Sequence, residues 1–144
     1  MNPFKALYCN QYYELEPKGK GNTAKKMGTI LSTIALVLFL FSLFFLLITF
    51  FPDIEKDMDK FFRNAFGRRT GRAIGKFIAL ALFVIAYPLI RVTLGTEKSY
   101  QKTITRFNSK TQLEKEQISK KGLVFFVSSI ITVVITIIVV MVFN

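Results

Sequence analysis

The chain has 144 residues, 51% of them hydrophobic, and its 20 Lys and Arg against 9 Asp and Glu give a formal net charge of +11. It contains one cysteine and no histidine, which excludes an intrachain disulfide, a histidine-based zinc site and histidine-ligated haem. Apolar runs recur along the whole length, so the composition predicts a single membrane domain over residues 1–144 without a separate soluble domain.

Residues 1–17 predict a short amphipathic helix. One helical face carries apolar side chains at spacings of three and four, namely Phe4, Leu7, Tyr8, Tyr12 and Leu15. Asn2 is a favoured N-cap and Pro17 ends the pattern. A disordered tail is the alternative, but we expect an interfacial helix that lies on the membrane or on a partner, because isolated helices of this length are marginal in water. Cys9 is expected to be an unmodified thiol, although acylation is possible in a eukaryotic setting.

The run 27–51 predicts the first transmembrane helix. It has 25 residues and contains no charge. At about 1.5 Å per residue it makes a helix of roughly 37 Å, which exceeds the bilayer core of about 30 Å and allows some tilt. A buried core helix is the alternative, but a small soluble protein rarely covers so many apolar residues on every face.

Residues 53–66 predict a second interfacial helix in the first loop. Its apolar face consists of Ile54, Met58, Phe61, Phe62, Ala65 and Phe66. Four acids, Asp53, Glu55, Asp57 and Asp59, lie in the opening turns, where the helix dipole favours them. A calcium loop is the alternative, but the central glycine and the terminal glutamate of an EF-hand are missing.

The second apolar block, 77–90, is ambiguous. Its 14 uncharged residues alone indicate a re-entrant or interfacial segment. However, Lys76 and Arg91 can extend their side chains toward opposite headgroup layers. We therefore expect residues 73–95 to form the second transmembrane helix, bent near its far end by Pro88.

Residues 96–121 predict a polar loop that is partly helical. Thr111 and Glu114 have the spacing of a capping box, so a helix is expected to begin there and to continue into the third span, 122–143. This span is rich in Val and Ile, which in water would indicate a buried strand. A charge-free run of this length is instead typical of a transmembrane helix.

Three crossings place residues 1–26 and 91–121 on one side of the membrane. That side carries 13 Lys and Arg, whereas the first loop carries 7. The positive-inside rule then predicts a cytoplasmic N-terminus and an external C-terminus. A bacterial inner membrane is favoured as the location, and a mitochondrial inner membrane is the alternative.

Small residues recur along all three spans and predict helix-packing faces. The candidate packing residues are Gly28, Ala35, Ser42 and Thr49 in the first span, Gly71, Gly75, Ala79 and Ala86 in the second, and Ser128, Thr132 and Thr136 in the third. In lipid, such positions let two helix backbones approach closely. Chance is the alternative, because small residues are common in membrane helices.

A basic cluster at the start of the second span predicts a contact with anionic phospholipid headgroups or with an acidic partner surface. The candidate residues are Arg68, Arg69, Arg72, Lys76 and Arg91. A solvated flank without a partner is the alternative. Nucleic acid is not expected as a partner, because the charges are scattered through short segments next to bilayer spans.

The expected fold class is therefore an all-α integral membrane protein with three transmembrane helices and with amphipathic interfacial helices at the N-terminus and in the first loop. No catalytic, cofactor or metal site is expected, and no carboxylate or histidine interrupts the spans. We expect a non-catalytic subunit that packs against other integral membrane subunits of a larger complex. The alternative is a pore or transport component, such as a holin-like homo-oligomer.

Overall fold

The computed structural model describes residues 1–66 and 71–143, which fold into helices joined by short turns. The helices are α1 (Pro3–Leu15), α2 (Gly21–Phe50), α3 (Pro52–Phe66), α4 (Gly71–Thr93), α5 (Glu97–Asn108) and α6 (Gln112–Phe143). A short 3₁₀ turn, Glu16–Lys18, follows α1. No strand occurs within the described ranges.

Three helices are long and apolar enough to cross a membrane: Gly21–Phe50, the Lys76–Thr93 part of α4, and Gln112–Phe143. The ambiguous second block thus belongs to a continuous helix of 23 residues. The Val- and Ile-rich third block is helical as well. The prediction of an all-α chain with three helices of spanning length is confirmed.

Helix α2 is the central element of the fold. Helix α6 runs parallel to it, since Phe39, midway along the apolar run of α2, meets Phe125 near the start of that of α6 (5.6 Å between ring centroids), and Phe50 meets Phe143 at their ends (5.9 Å). Helix α4 packs on α2 in the opposite direction, and the turn after α4 brings Gly95 next to Thr29.

Helix α1 folds back along α2 through a tight turn. Gly19 has a φ of 67°, a left-handed conformation that L side chains rarely adopt, and the Lys20 N–H donates to the carbonyl of Leu15 (3.0 Å). The helix then lies against both α2 and α6. Five consecutive residues, 6–10, are buried. A helix resting on a flat surface would bury one stripe, so this pattern shows that α1 is covered on several sides.

The polar segment after α4 forms α5, which closes over α1. Tyr100, Ile104 and Phe107 of α5 are buried, and the ring of Phe107 lies 6.4 Å from that of Tyr12. Helix α6 then begins with the predicted capping box, in which the Thr111 N–H donates to the Glu114 carboxylate (3.0 Å). The first ten residues of α6 precede the apolar run and complete the cover around α1.

Helix α3 follows directly on the end of α2 and contacts α2. Its described side chains place Ile54 and Phe61 on the surface together with the charged Asp53, Lys56 and Asp57. Apolar and charged surface therefore coexist on one short helix at this end of the molecule.

Candidate functional site

The predicted packing face of α2 is buried over most of its length. Gly28, Ala35 and Ser42 are buried, and Thr49 is partly buried. The Ser42 hydroxyl donates to the carbonyl of Leu38 (2.9 Å), a bond within the same helix. Such a bond satisfies the hydroxyl and leaves the small side chain free to contact a neighbouring helix.

On α4, the predicted packing residues fall in two groups. Gly71 and Gly75 lie in the first turns, where only the helix itself is described. Ala79 is half-buried, whereas Ala86 is 1% exposed. Because α2 is the main helix that α4 contacts, Ala86 is part of the intramolecular packing rather than of a free surface.

On α6, the predicted packing residues differ in their burial. Ser128 and Thr132 are half-buried, and Thr136 is buried. The deeply buried series is Gly122, Ser129 and Thr136, which recurs every seven residues. This spacing equals that of the buried series in α2, and the shared repeat was the signal in the sequence that could have found it.

Two glycines let α1 approach the long helices. A Cβ at Gly28 would lie 2.6 Å from Cδ1 of the Tyr8 ring. A Cβ at Gly122 would lie 2.6 Å from the carbonyl carbon of Ala6 and 2.7 Å from the amide nitrogen of Leu7. Real Cβ atoms do not approach other atoms this closely, so the backbones of α1 and α6 meet here because residue 122 has no side chain.

Buried hydrogen bonds tie α1 to both long helices. The hydroxyls of Tyr8 and Thr29 are 2.9 Å apart, and the Asn10 amide donates to the Ser119 hydroxyl at the same distance. Sequence analysis did not identify either pair. Each bond joins residues distant in the chain, and nothing in the local spacing of Asn10 or Ser119 indicates a partner.

A surface ion pair joins α2 to α5. Lys25 donates to the carboxylate of Glu97 at 2.5 Å, and Gln101 donates to the other oxygen of that carboxylate at 2.8 Å. These two donors hold the pKa of Glu97 below its usual value, with the Lys25 bond as the main cause. The contact thus keeps a negative charge beside Lys25 on an otherwise basic surface.

Burial changes the pKa of two side chains, Cys9 of α1 and Tyr100 of α5. It raises the pKa of the Cys9 thiol to about 12 and that of Tyr100 to about 12. The thiolate is the reactive form of cysteine, so the raised pKa and the complete burial of the Cys9 side chain both disfavour its reaction. The Tyr100 hydroxyl is buried and has no hydrogen-bond partner.

Two open clefts flank the covered helix. One, of about 540 Å³, lies between α1, α2 and α5 and includes Tyr12, Lys25 and Glu97 in its wall. The other, of about 460 Å³, lies between α1, α5 and α6. The wall of the first cleft mixes acids, amides and one lysine, an arrangement with no recognisable catalytic geometry.

The structure describes only some of the predicted basic contact residues. Arg68 and Arg69 lie outside the described residues, and for Arg72 only the helix is described. Lys76 and Arg91 are exposed at the two ends of the apolar part of α4. Both side chains are therefore placed where they can reach a polar layer.

Within the described part of the chain, no group of three or more His, Cys, Asp or Glu side chains could hold a metal ion. Comparisons with family models, with curated proteins and with solved structures give no match to this chain.

Proposed function

We propose that the protein is a non-catalytic three-span subunit that packs against other integral membrane subunits of a larger complex. The observation that supports this function best is the peripheral position of α4. This helix contacts mainly α2, whereas α2 itself is covered by α1, α4 and α6. Helix α4 is thus available to a further helix along most of its length.

The outer face of α4 is apolar and open. Leu80, Val84, Ile85, Leu89 and Val92 are all more than half exposed. In a bilayer such a face meets either lipid or another transmembrane helix. The small residue Ala81, also exposed, lies on the same outer part of the helix and allows a partner backbone to come close.

The charge distribution supports a second set of contacts, with anionic headgroups or acidic partner surfaces. The end of the molecule formed by residues 1–26 and 91–121 carries thirteen Lys and Arg against five Asp and Glu. Each positive charge near an anionic membrane contributes roughly 1 kcal/mol of attraction. On the same basis we place this end in the cytoplasm.

Purification from the native membrane in a mild detergent tests the subunit role. We expect the chain to elute with other membrane subunits in fixed stoichiometry. A homo-oligomer free of other proteins would instead support the pore alternative. In the structure the α6 hydroxyls of Ser128, Thr132 and Thr136 donate to carbonyls of their own helix, so in a pore they would present acceptor oxygens only.

A pair of matched variants locates the partner. Val84→Trp adds bulk to the outer face of α4, and Val134→Trp adds the same bulk to the exposed face of α6. If a subunit packs on α4, the first variant loses its co-purifying partners and the second keeps them. Retention of all partners by Val84→Trp would show that α4 faces lipid.

A further inference from the structure

The contacts between α1 and α2 give the position of each α1 residue along the α2 axis. We express this height as the α2 residue that lies at the same level. Tyr8 lies beside Gly28 and Thr29. Helix α1 runs antiparallel to α2, so Phe4 lies one turn further along, about 6 Å at 1.5 Å per residue. That is the height of residues 32–33. Phe4 packs on Phe125, with ring centroids 4.9 Å apart, and the Phe125 ring also lies 5.6 Å from that of Phe39, so it lies at or below this height.

Helix α4 gives an independent reading of height. Gly95 lies next to the Thr29 hydroxyl, where a Cβ would be 3.1 Å from the oxygen. Arg91 precedes Gly95 by four residues on a helix that also runs antiparallel to α2. The helix ends at Thr93 and the chain turns back, so the Gly95 Cβ position is also 3.2 Å from the Arg91 Cα. The Arg91 backbone therefore lies at most 3.2 Å deeper, near the height of Thr29 to Leu31. Its side chain is exposed.

These heights conflict with a membrane boundary at Lys26, where the apolar run of α2 begins. Such a boundary would place the backbone of Arg91 up to roughly 7 Å inside the hydrocarbon, at most five residues below Lys26 at about 1.5 Å each. A charged side chain at that depth is costly. The N-cap Asn2 and the side chain of Lys5, near the tip of α1, would also lie within the apolar layer.

We infer that the hydrocarbon boundary on this side of the membrane passes at the height of Thr33, just below Arg91 and close to Phe125. The first part of α2, the first part of α6, and all of α1 and α5 then form a helical layer at the headgroups. Helix α1 stands upright in this layer with its N-terminal tip at the hydrocarbon, rather than lying flat on the surface. The inference rests on the membrane insertion assumed in the proposed function.

The lengths of the remaining segments agree with this plane. The charge-free parts that it leaves in the membrane are 33–51 in α2 and 125–143 in α6, each 19 residues long, and the shorter run 77–90 in α4. At 1.5 Å per residue, 19 residues span about 29 Å, close to the bilayer core of about 30 Å. The lengths of α2 and α6 below the plane therefore match the bilayer core, whereas on α4 the side chains of Lys76 and Arg91 extend toward the polar layers.

Spin labels on single cysteines measure the depth directly. In a Cys9→Ala background, labels are introduced at Met27, Ile30, Leu36 and Leu40 of α2 and at Leu89 and Val92 of α4, and the protein is reconstituted in vesicles. Collision with a water-soluble nickel complex is compared with collision with oxygen, which concentrates in hydrocarbon. We expect labels at Met27, Ile30 and Val92 to meet nickel, and labels at Leu36, Leu40 and Leu89 to meet oxygen.

Protection from nickel of the labels at Ile30 and Val92 overturns the inference. If labels at Ile30 and Val92 are as protected from nickel as those at Leu40 and Leu89, the boundary lies near Lys26 and α1 is immersed. Nickel access at every position would instead show that the helices do not insert. The partners found on purification do not affect these readings, so the subunit proposal can fail while the plane stands. Native-like helicity and melting of each labelled variant control for misfolding.

Discussion

At the scale of single residues, the absence of a side chain at position 122 decides how α1 docks. The closest atoms to a Cβ there belong to the backbone of Ala6 and Leu7, at 2.6 Å and 2.7 Å for the carbonyl carbon and the amide nitrogen. A backbone cannot rotate away as a side-chain tip can. The glycine costs helix stability, roughly 1 kcal/mol relative to alanine, so its presence in α6 is explained by the contact.

Gly122→Ala is therefore expected to destabilise the protein although alanine favours helices. Overpacking typically costs about 1–3 kcal/mol, and we expect a loss in this range from thermal unfolding in detergent. Gly21→Ala is the matched control, because its Cβ would meet only the Glu16 Cα at 3.9 Å. A Gly122→Ala variant as stable as the Gly21→Ala variant would show that α1 does not approach α6 this closely.

At the scale of elements, the sequence predicted the helices better than their surroundings. The period of three and four in residues 4–15 correctly predicts a helix at α1, because that signal depends on one helix alone. The cover over Cys9 and Asn10 depends on α5 and α6, which lie about a hundred residues away in the chain. Local periodicity contains no information about such neighbours, so the pattern indicated a surface helix.

The starts of the long helices likewise depend on neighbouring helices, which hydropathy does not predict. The apolar run that begins at residue 27 predicts the presence of α2, but the helix starts at Gly21. Likewise α6 starts at Gln112, ten residues before the predicted span at 122. Hydropathy marks where side chains become apolar. The helices continue into the polar segments because α1 and α5 pack against them there.

The buried Asn10–Ser119 hydrogen bond is expected to couple α1 to α6. In a double-mutant cycle with Asn10→Ala and Ser119→Ala, we expect a coupling energy of about 0.5–1.5 kcal/mol, the usual net value for a protein hydrogen bond. The exposed Glu97–Gln101 pair within α5, at 2.8 Å, is the control, with an expected coupling of about 0.2–0.5 kcal/mol. Additive effects of the two alanine substitutions in the first cycle would mean that the bond does not hold α1.

At the scale of the whole molecule, three helices of spanning length and the charge of their flanks predict the orientation. Residues 1–26 and 91–121 carry 13 Lys and Arg, but the opposing segment, 53–76, carries 7, all between Lys56 and Lys76. The opposing charges weaken the bias without reversing it. The acids Asp53 and Asp57 lie in the same segment, but acids contribute little to orientation.

Epitope tags at the two ends test this orientation in sealed vesicles. With three crossings we expect the N-terminal tag to be on the cytoplasmic side and the C-terminal tag on the opposite side, so a membrane-impermeant antibody or protease reaches one tag only. Permeabilised vesicles, in which both tags react, provide the control.

Tags on the same side would mean that α4 does not cross, and its exposed face from Leu80 to Val92 would then have to be covered by protein or to lie at the interface. Tags on opposite sides in the reverse sense would leave the three spans intact. That outcome would show that the basic stretch of the first loop, rather than the larger basic end, determines the orientation.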